Sequence, residues 1–278
     1  MKKRYWITAL VAIIVVLFGY TFVYRPYQKA HQPQSNKKTI VLASSPGPYS
    51  DLFMKGIKPI LEKDGYKVKN KSFSVLLNAD MALNQGQVDL NIEQHGAYMN
   101  NFNKENHGDL VSLTKVPTIP TGIYPAKKHS LKDVKKGDTV AIPNDPSNMS
   151  RAFLVMEKAG WIKLKKGVDP IKATKNDIID NKYDLKFDEM DSANEPRSRN
   201  SVDYAIIPGS DTYGAKIPAS SMLLRENPQS QYMLLAVVNK KNEHTKWAQD
   251  VKKAYNSKQF MNYMKQHNQD HEWEIPEK

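Results

Sequence analysis

The chain has 278 residues, 40% of them hydrophobic, which is enough to bury a core in one large domain or two lobes and excludes a wholly disordered protein. Its 41 Lys and Arg residues exceed its 29 Asp and Glu residues and give a net charge of +12. The lysines are dispersed and no arginine-rich arm is present, so nucleic-acid binding is not predicted. The chain has no cysteine, which excludes disulfides, thiolate catalysis, cysteine-ligated zinc and the residue that carries the lipid of a bacterial lipoprotein.

The first predicted element is a membrane anchor. An uncharged run from Trp6 to Val23 follows a basic start and measures about 27 Å as a helix, close to the ~30 Å hydrocarbon core of a bilayer. A cleaved signal peptide has a shorter apolar region and a small-residue cleavage site, whereas residues 24–27 are typical of an interfacial aromatic belt. A buried core helix is the alternative. The predicted divisions are a cytoplasmic start at 1–4, a transmembrane anchor at 5–23 and a polar linker at 24–38.

The rest of the chain alternates between short apolar runs and helical patterns. This alternation predicts an α/β fold with a largely parallel sheet, in which ligands bind at the carboxyl ends of strands. Residues 45–48 and Gln94-His95 lie at two such ends, and Pro59 is expected to kink the first helix or move its start. The predicted strands are 39–43, 66–73, 88–92, 139–142, 202–207 and 232–238, and the predicted helices begin at Ser50 or Asp51, span 79–84, follow Asp145 and span 247–263.

Motifs of enzyme chemistry are missing from the sequence. It has no nucleophile elbow, no phosphate-binding loop and no dinucleotide fingerprint. His271-Glu272 begins like a zinc-protease motif, but Ile275 stands where its second histidine belongs. The acidic residues 188, 189 and 191 are typical of a solvated loop. We therefore predict no enzyme activity, no cofactor and no metal site, with a membrane-tethered enzyme as the minor alternative.

One polar helix start is a candidate anion site. Asn148 and Arg151 are three residues apart, so they share a face in the first turns of the helix predicted after Asp145. Free backbone N–H groups and the helix dipole favour an anion there, and an arginine fork suits a carboxylate gripped in two places. A surface arginine on an amphipathic helix is the structural alternative.

Four stretches carry a resemblance to a known family. AIPNDPSNMSRAFLVMEKAGWIKLK, residues 141–165, resembles the signature of the NlpA/MetQ family of methionine-type substrate-binding lipoproteins. The other three follow in collinear order, so that the similarity covers nearly all of residues 39–278. They are GQVDLNIEQHGAYM (86–99), KVPTIPTGIYPAKKHSLKDVKKG (115–137) and NDIIDNKYDLKFDEMDSANEPRS (176–198).

The resemblance implies a two-lobed type II periplasmic-binding-protein fold. Lobe 1 would comprise residues 39–126 and 223–278, and lobe 2 residues 127–222. The protein would be the solute-binding component of an ABC importer on the extracytoplasmic face of the cell membrane, which captures methionine, a related amino acid or a short peptide. It would pass the ligand to a permease driven by an ATPase. A tethered surface receptor or adhesin with the same fold is the alternative.

The resemblance also implies site residues. His95 and Tyr98 match the family's QH-x-x-Y element on one cleft wall, and Asn148 and Arg151 match its N-x-x-R element, which binds the ligand carboxylate from the other. Without the resemblance, His95 would be interpreted as a structural histidine. Glu93 stands where relatives carry an aromatic residue. If it faces the cleft, it favours a ligand whose amine lies far from its carboxylate, such as a short peptide. If it faces solvent, methionine still fits.

The sequence departs from the family in three further places. The loop 208–213 and the segment 231–233 differ from the asparagine-containing family patterns, and the predicted anchor stands in place of the lipidated cysteine. These departures leave the fold and the transport role as predicted, and they leave the ligand open between free methionine and a peptide.

Overall fold

The computed structural model describes residues 37–227, 229–269 and 272–276. The predicted start at 1–4, the anchor at 5–23 and all but the last two residues of the linker at 24–38 lie outside the described residues. Among the residues that are described, no helix is both long and apolar enough to cross a membrane. The described part is built of two five-stranded sheets and one two-stranded sheet, with helices packed on the larger sheets.

The strands alternate with helices along the chain, as the sequence predicts. In chain order the strands are β1 (Thr39–Ser44), β2 (Lys67–Ser72), β3 (Leu90–His95), β4 (Leu110–Lys115), β5 (Gly122–Pro125), β6 (Thr139–Pro143), β7 (Ile162–Leu164), β8 (Ile178–Asn181), β9 (Lys186–Met190), β10 (Tyr204–Ile207), β11 (Leu224–Arg225) and β12 (Leu234–Asn239). The α-helices are α1 (Pro48–Leu52), α2 (Lys58–Lys63), α3 (Leu76–Asn84), α4 (Gly96–Asn106), α5 (Pro146–Lys158), α6 (Glu195–Ser198), α7 (Gly209–Gly214), α8 (Lys246–Tyr255) and α9 (Lys258–His267).

Short helical turns join several of these elements. A π-helical turn, Phe53–Ile57, connects α1 to α2. The 3₁₀ turns are Leu131–Asp133, Lys175–Asp177, Ser192–Asn194, Ala219–Ser221, Ser230–Tyr232 and Lys240–Asn242.

The two main sheets are mixed rather than largely parallel. The first has the order β2-β1-β3-β12-β4, and the second has the order β11-β5-β10-β6-β9. In the first, β12 runs antiparallel to both of its neighbours, and in the second β5 is antiparallel to β10 and to β11. The prediction of a largely parallel arrangement holds for β1, β2 and β3 and for β6, β9 and β10. The antiparallel strands are those that follow or precede a passage between the sheets.

Each sheet has its own hydrophobic core, which is why the chain forms two lobes. One face of the first sheet packs against α2, α8 and α9 through fully buried residues such as Phe53, Leu61 and Trp247. The second sheet packs against α5 through Phe153 and Met156. Asp145 starts α5 as predicted: its Oδ1 accepts the Asn148 amide at 3.0 Å, and Pro146 occupies the first helical position.

Two predicted helices differ in detail from the observed ones. The helix predicted over 247–263 is interrupted, because Ser257 caps a new helix by accepting the Phe260 amide at 3.1 Å. The irregularity expected at Pro59 takes the form of the π-helical turn just before it. Proline has no N–H to donate to the preceding turn, so the helix widens there instead of ending.

The chain passes between the sheets twice. The first crossover, residues 116–121, joins β4 to β5, and the second, residues 226–233, joins β11 to β12. The sequence-based boundaries after residues 126 and 222 assigned β5 and β11 to lobe 1, whereas both strands hydrogen-bond within the second sheet. The polar pair Lys127-Lys128 suggested the earlier boundary, but it lies in a turn after β5 that bonds to Val202 and Asp203.

Candidate functional site

A cleft of about 490 Å³ lies between the two lobes. Its walls are built at the carboxyl ends of strands from both sheets, as the sequence predicts for an α/β fold. Residues 45–49 follow β1 and residues 144–148 follow β6, while Gly209 to Asp211 follow β10. All five predicted site residues line the cleft: Glu93, His95, Tyr98, Asn148 and Arg151.

A directed chain of hydrogen bonds crosses the cleft. His95 caps α4, and its Nδ1 accepts the Tyr98 amide at 3.1 Å. A neutral ring therefore carries its proton on Nε2, which donates to Asn148 Oδ1 across the lobes at 3.1 Å. Asn148 Nδ2 in turn donates to Asp145 Oδ2 at 3.0 Å. Burial first, and then the charge of Arg151, lower the pKa of His95 to about 4, so the ring is neutral near neutral pH.

Arg151 is buried and already holds a carboxylate of this chain. It is 3% exposed, its Nε donates to Glu226 Oε2 at 2.7 Å, and its Nη2 donates to Glu226 Oε1. Its guanidinium lies over the Tyr232 ring, 5.2 Å from the centroid. One edge of the guanidinium that was predicted to bind a ligand carboxylate is thus occupied by Glu226, and three of its five N–H groups remain outside that pair.

Glu93 faces the cleft and holds the loop after β1 through hydrogen bonds. Its carboxylate accepts the Ser45 amide at 2.8 and 2.9 Å and the Ser45 hydroxyl at 3.1 Å. Burial raises the pKa of Glu93 to about 7, and the Ser45 hydrogen bonds oppose that rise. Of the two orientations left open by the sequence, the structure has the one toward the cleft.

Behind Glu93 lies a second buried carboxyl. Asp80 is fully buried and accepts a hydrogen bond from the Gln94 amide, while its Oδ2 and Gln94 Oε1 have no partner. Burial raises the pKa of Asp80 to about 8; the Gln94 bond lowers it and the nearby Glu93 charge raises it. This side of the cleft therefore takes up protons near neutral pH.

The opposite wall carries an acidic group that we call the lobe-2 carboxylates: Asp145, Asp191, Glu195 and Asp211. Asp145, Asp191 and Asp211 line the cleft, and Glu195 is fully buried. Burial raises the pKa of Asp211 to about 6, against a Ser192 hydrogen bond and with help from Asp191 and Asp145. Burial also raises the pKa of Glu195 well above its usual value, and the charges of Asp211, Asp145 and Asp191 add to it.

The cleft walls offer no metal centre. Within the described ranges, no group of three or more histidine, cysteine or acidic side chains has an arrangement that could hold a metal ion. The residues that line the cleft suit an organic ligand with charged and apolar parts, because Val75 to Leu77 add an apolar rim to the charged walls.

The sequence model of the NlpA lipoprotein family matches residues 40–276. The chain belongs to the NlpA lipoprotein family. The D-methionine-binding lipoprotein MetQ of Salmonella typhi is 34% identical over 199 residues, which cover 70% of this chain and 73% of the relative.

Solved structures of two bacterial proteins share the fold of this NlpA-family chain. A nutrient-binding protein from Burkholderia cenocepacia bound to methionine is 32% identical with a TM-score of 0.79, and the match covers 86% of this chain and 100% of that chain. A periplasmic substrate-binding protein of an ABC transporter from Coxiella burnetii is 31% identical with a TM-score of 0.79, with the same two coverages.

Sequence reasoning missed several residues that line the cleft of this NlpA-family chain or lie directly behind its walls. Glu226 and Tyr232 lie in the second crossover, and nothing in their local sequence indicates that they reach Arg151. Asp191 was interpreted as part of a solvated loop; it is exposed, yet it lines the cleft. The altered loop 208–213 did signal a changed wall, and it supplies Asp211. The sequence around Glu195 shows only a possible helix start before a proline and does not indicate that this residue is buried.

We expect the Arg151–Glu226 pair to be strongly coupled. Glu226→Gln removes the charge that compensates a buried guanidinium, and Arg151→Met leaves a buried carboxylate, so each should cost about 3–5 kcal/mol in the free energy of unfolding. The double variant should cost clearly less than the two costs added, because neither charge is left alone. Urea unfolding of the ligand-free protein measures all three.

The exposed pair of Lys172 and Asp169 is the matched control, since Lys172→Met should cost about 1 kcal/mol or less. Simple additivity of the two buried substitutions would contradict the coupling.

The buried Asp80 makes the free energy of unfolding depend on pH. The folded-state pKa of Asp80, about 8, lies above the ~4 of an unfolded chain, so the folded protein favours the protonated form. The contribution of Asp80 to the free energy of unfolding is therefore present at low pH and is lost as pH rises from about 4 to about 8. We expect the stability of Asp80→Asn relative to the native protein to rise by about 2–4 kcal/mol between pH 5 and pH 9. Thermal unfolding at the two pH values checks this.

The variant of an exposed acid, Asp180→Asn, is the control and should show no such difference between the two pH values. The same relative stability of Asp80→Asn and the native protein at both pH values would show that Asp80 ionises without cost.

Proposed function

We propose that this chain is the extracytoplasmic solute-binding component of an ABC importer and that it captures methionine, a related amino acid or a short peptide between its lobes. The captured ligand passes to a membrane permease driven by a cytoplasmic ATPase. The observation that carries the proposal is the polar cleft at the carboxyl ends of two sheets, in a chain that belongs to the NlpA lipoprotein family.

Several features support a binding role. The cleft volume suits an amino acid or a small peptide, and the lobes contact one another through His95 and Asn148 across it. The Burkholderia relative is described as bound to methionine, the Salmonella relative as D-methionine-binding, and the Coxiella relative as an ABC-transporter component. A ligand that bridges two lobes favours their closed arrangement, which a transporter can distinguish from the open one.

Each predicted site residue has a role in this proposal. Asn148 and the free N–H groups of Arg151 bind the ligand carboxylate near the start of α5, where the helix dipole favours an anion. His95 and Tyr98 form the opposite wall, and neutral His95 adds no charge to the site. Glu93 accepts hydrogen bonds from the amine end of the ligand.

We also propose that residues 5–23 anchor the protein in the cell membrane as a single span, with residues 1–4 in the cytoplasm and the two lobes on the outer side. The uncharged run from Trp6 to Val23 supports this, and the relatives' lipoprotein names support a membrane-attached, extracytoplasmic protein. A chain without cysteine has no thiol for a lipid, so a helical anchor supplies the attachment.

Calorimetric titration of the full chain in detergent with L- and D-methionine tests the binding proposal. We expect saturable binding, and we expect Asn148→Ala to weaken it about 5- to 150-fold, because a buried ligand group then loses a hydrogen bond worth about 1–3 kcal/mol. Asn200→Ala, an exposed position of the same lobe, should leave the affinity unchanged. A folded protein that binds neither methionine nor any other amino acid or dipeptide would contradict the proposal.

The anchor is tested by placing a specific protease site within residues 24–38. Before cleavage the protein should stay with membranes through carbonate and high-salt washes, because the apolar span lies in the hydrocarbon core. After cleavage the lobes should be released, and the intact protein should retain Met1 or Lys2 by mass spectrometry. A mature N-terminus beyond residue 24 would refute the uncleaved anchor.

A further inference from the structure

The charge of the cleft is opposite to that of the chain. The chain carries +12, yet the cleft is lined by four carboxylates and two guanidiniums, Arg151 and Arg197. One of these guanidiniums, Arg151, is already neutralised by Glu226. The other, Arg197, is exposed at the rim. The cleft therefore has an excess of negative charge that its own cations do not balance. The four lining carboxylates are Glu93, Asp145, Asp191 and Asp211.

A buried carboxylate behind this wall has no partner. Glu195 is fully buried, and neither of its two oxygens has a hydrogen-bond partner. It is the first residue of α6, and its neighbours Pro196 and Arg197 line the cleft. Its electrostatic neighbours are the other lobe-2 carboxylates. Burial and these neighbouring charges raise the pKa of Glu195, so its carboxyl group is neutral in the empty cleft, and a cation held at this wall would favour its ionised form.

The cation that this acidic wall would favour is organic rather than metallic. The described residues hold no group of side chains that could ligate a metal ion. Val75, Leu76 and Leu77 form an apolar rim, which suits the aliphatic part of an organic amine. The cleft also shares Pro46, Gly47, Ile119 and Gly214 with a second cavity of about 1050 Å³, so a ligand longer than a single amino acid has room.

We propose that the cleft is selective for a ligand with a cationic nitrogen set apart from its carboxylate. Asp191 and Asp211, backed by Asp145 and Glu195, hold that nitrogen. The nitrogen belongs either to the side chain of a basic amino acid or to the N-terminus of a short peptide. This inference rests on the proposed function and narrows its ligand class. A charged partner at this wall supplies charge-assisted hydrogen bonds to carboxylates that otherwise repel one another.

A matched ligand series tests the selectivity by calorimetry on the full chain in detergent. L-norleucine carries no second amine, L-lysine adds one at the end of the same stem, and L-alanyl-L-norleucine moves the ammonium away from the carboxylate. N-acetyl-L-norleucine has no cation. We expect lysine or the dipeptide to bind about 10- to 100-fold more tightly than norleucine, and the acetylated compound not to bind. Tighter binding of lysine identifies a side-chain amine, and tighter binding of the dipeptide identifies an N-terminal one.

Two variants link the selectivity to this wall. Asp211→Asn and Glu195→Gln preserve shape and remove an acid that can be ionised beside a bound cation, so each should lower the preference for the cationic ligand about tenfold. Asp180→Asn, an exposed acid of the same lobe, should preserve it. If Glu195→Gln does not fold, Asp211→Asn carries the test alone.

The outcomes separate the inference from the proposed function. Norleucine or methionine binding as tightly as lysine and the dipeptide would overturn the inference and leave the binding role intact. If both variants keep the preference for the cationic ligand, the lobe-2 carboxylates are not its source, and this result would also overturn the inference. Failure of every compound, methionine included, would overturn the proposed function and the inference together.

Discussion

The carboxylate of Glu226 joins the parts of the chain on which the geometry of the cleft depends. It lies in the second crossover, accepts the Thr121 amide of the first crossover at 2.7 Å, and pairs with Arg151 at the start of α5. Tyr232, also in the second crossover, lies under Arg151 and donates its hydroxyl to Pro170 of lobe 2 at 3.0 Å. Both crossovers are therefore attached to lobe 2, and the ligand-facing helix is held by the chain segments that connect the lobes.

Other hydrogen bonds attach the far ends of the crossovers to lobe 1. Thr118 exchanges backbone hydrogen bonds with Glu274, and its hydroxyl accepts the Leu234 amide at 2.8 Å. The Tyr49 hydroxyl accepts the Ile119 amide at 3.1 Å. Pro120 and Met233 lie between the two sets of attachments. Pro120 and Met233 are therefore the expected positions of a hinge between the lobes.

The sequence predicted the elements of this fold better than it predicted their long-range partners. The strand predicted over 88–92 is observed as β3 (Leu90–His95), and the helix capped by Asp145 also follows from a local pattern, so the cleft residues near those ends were predictable. The pairing of Arg151 with Glu226 joins residues 75 positions apart, and no local pattern encodes it. The same holds for Glu195, whose complete burial results from packing of the short α6 against β10 and β6 and not from its own sequence neighbourhood.

The hydrogen-bond chain from Tyr98 through His95 and Asn148 to Asp145 has a consequence for the open protein. Opening the cleft breaks one link of that chain, the one between His95 and Asn148, and both halves keep the internal bonds that orient them. The described hydrogen bond between Tyr213 and Asp51, at 3.3 Å between exposed side chains, adds little. Among the described residues, few hydrogen bonds join the two cleft walls directly, so a ligand that contacts both walls adds to a small set of polar contacts between them. A ligand with different affinities for the open and closed arrangements shifts the balance between them by that difference.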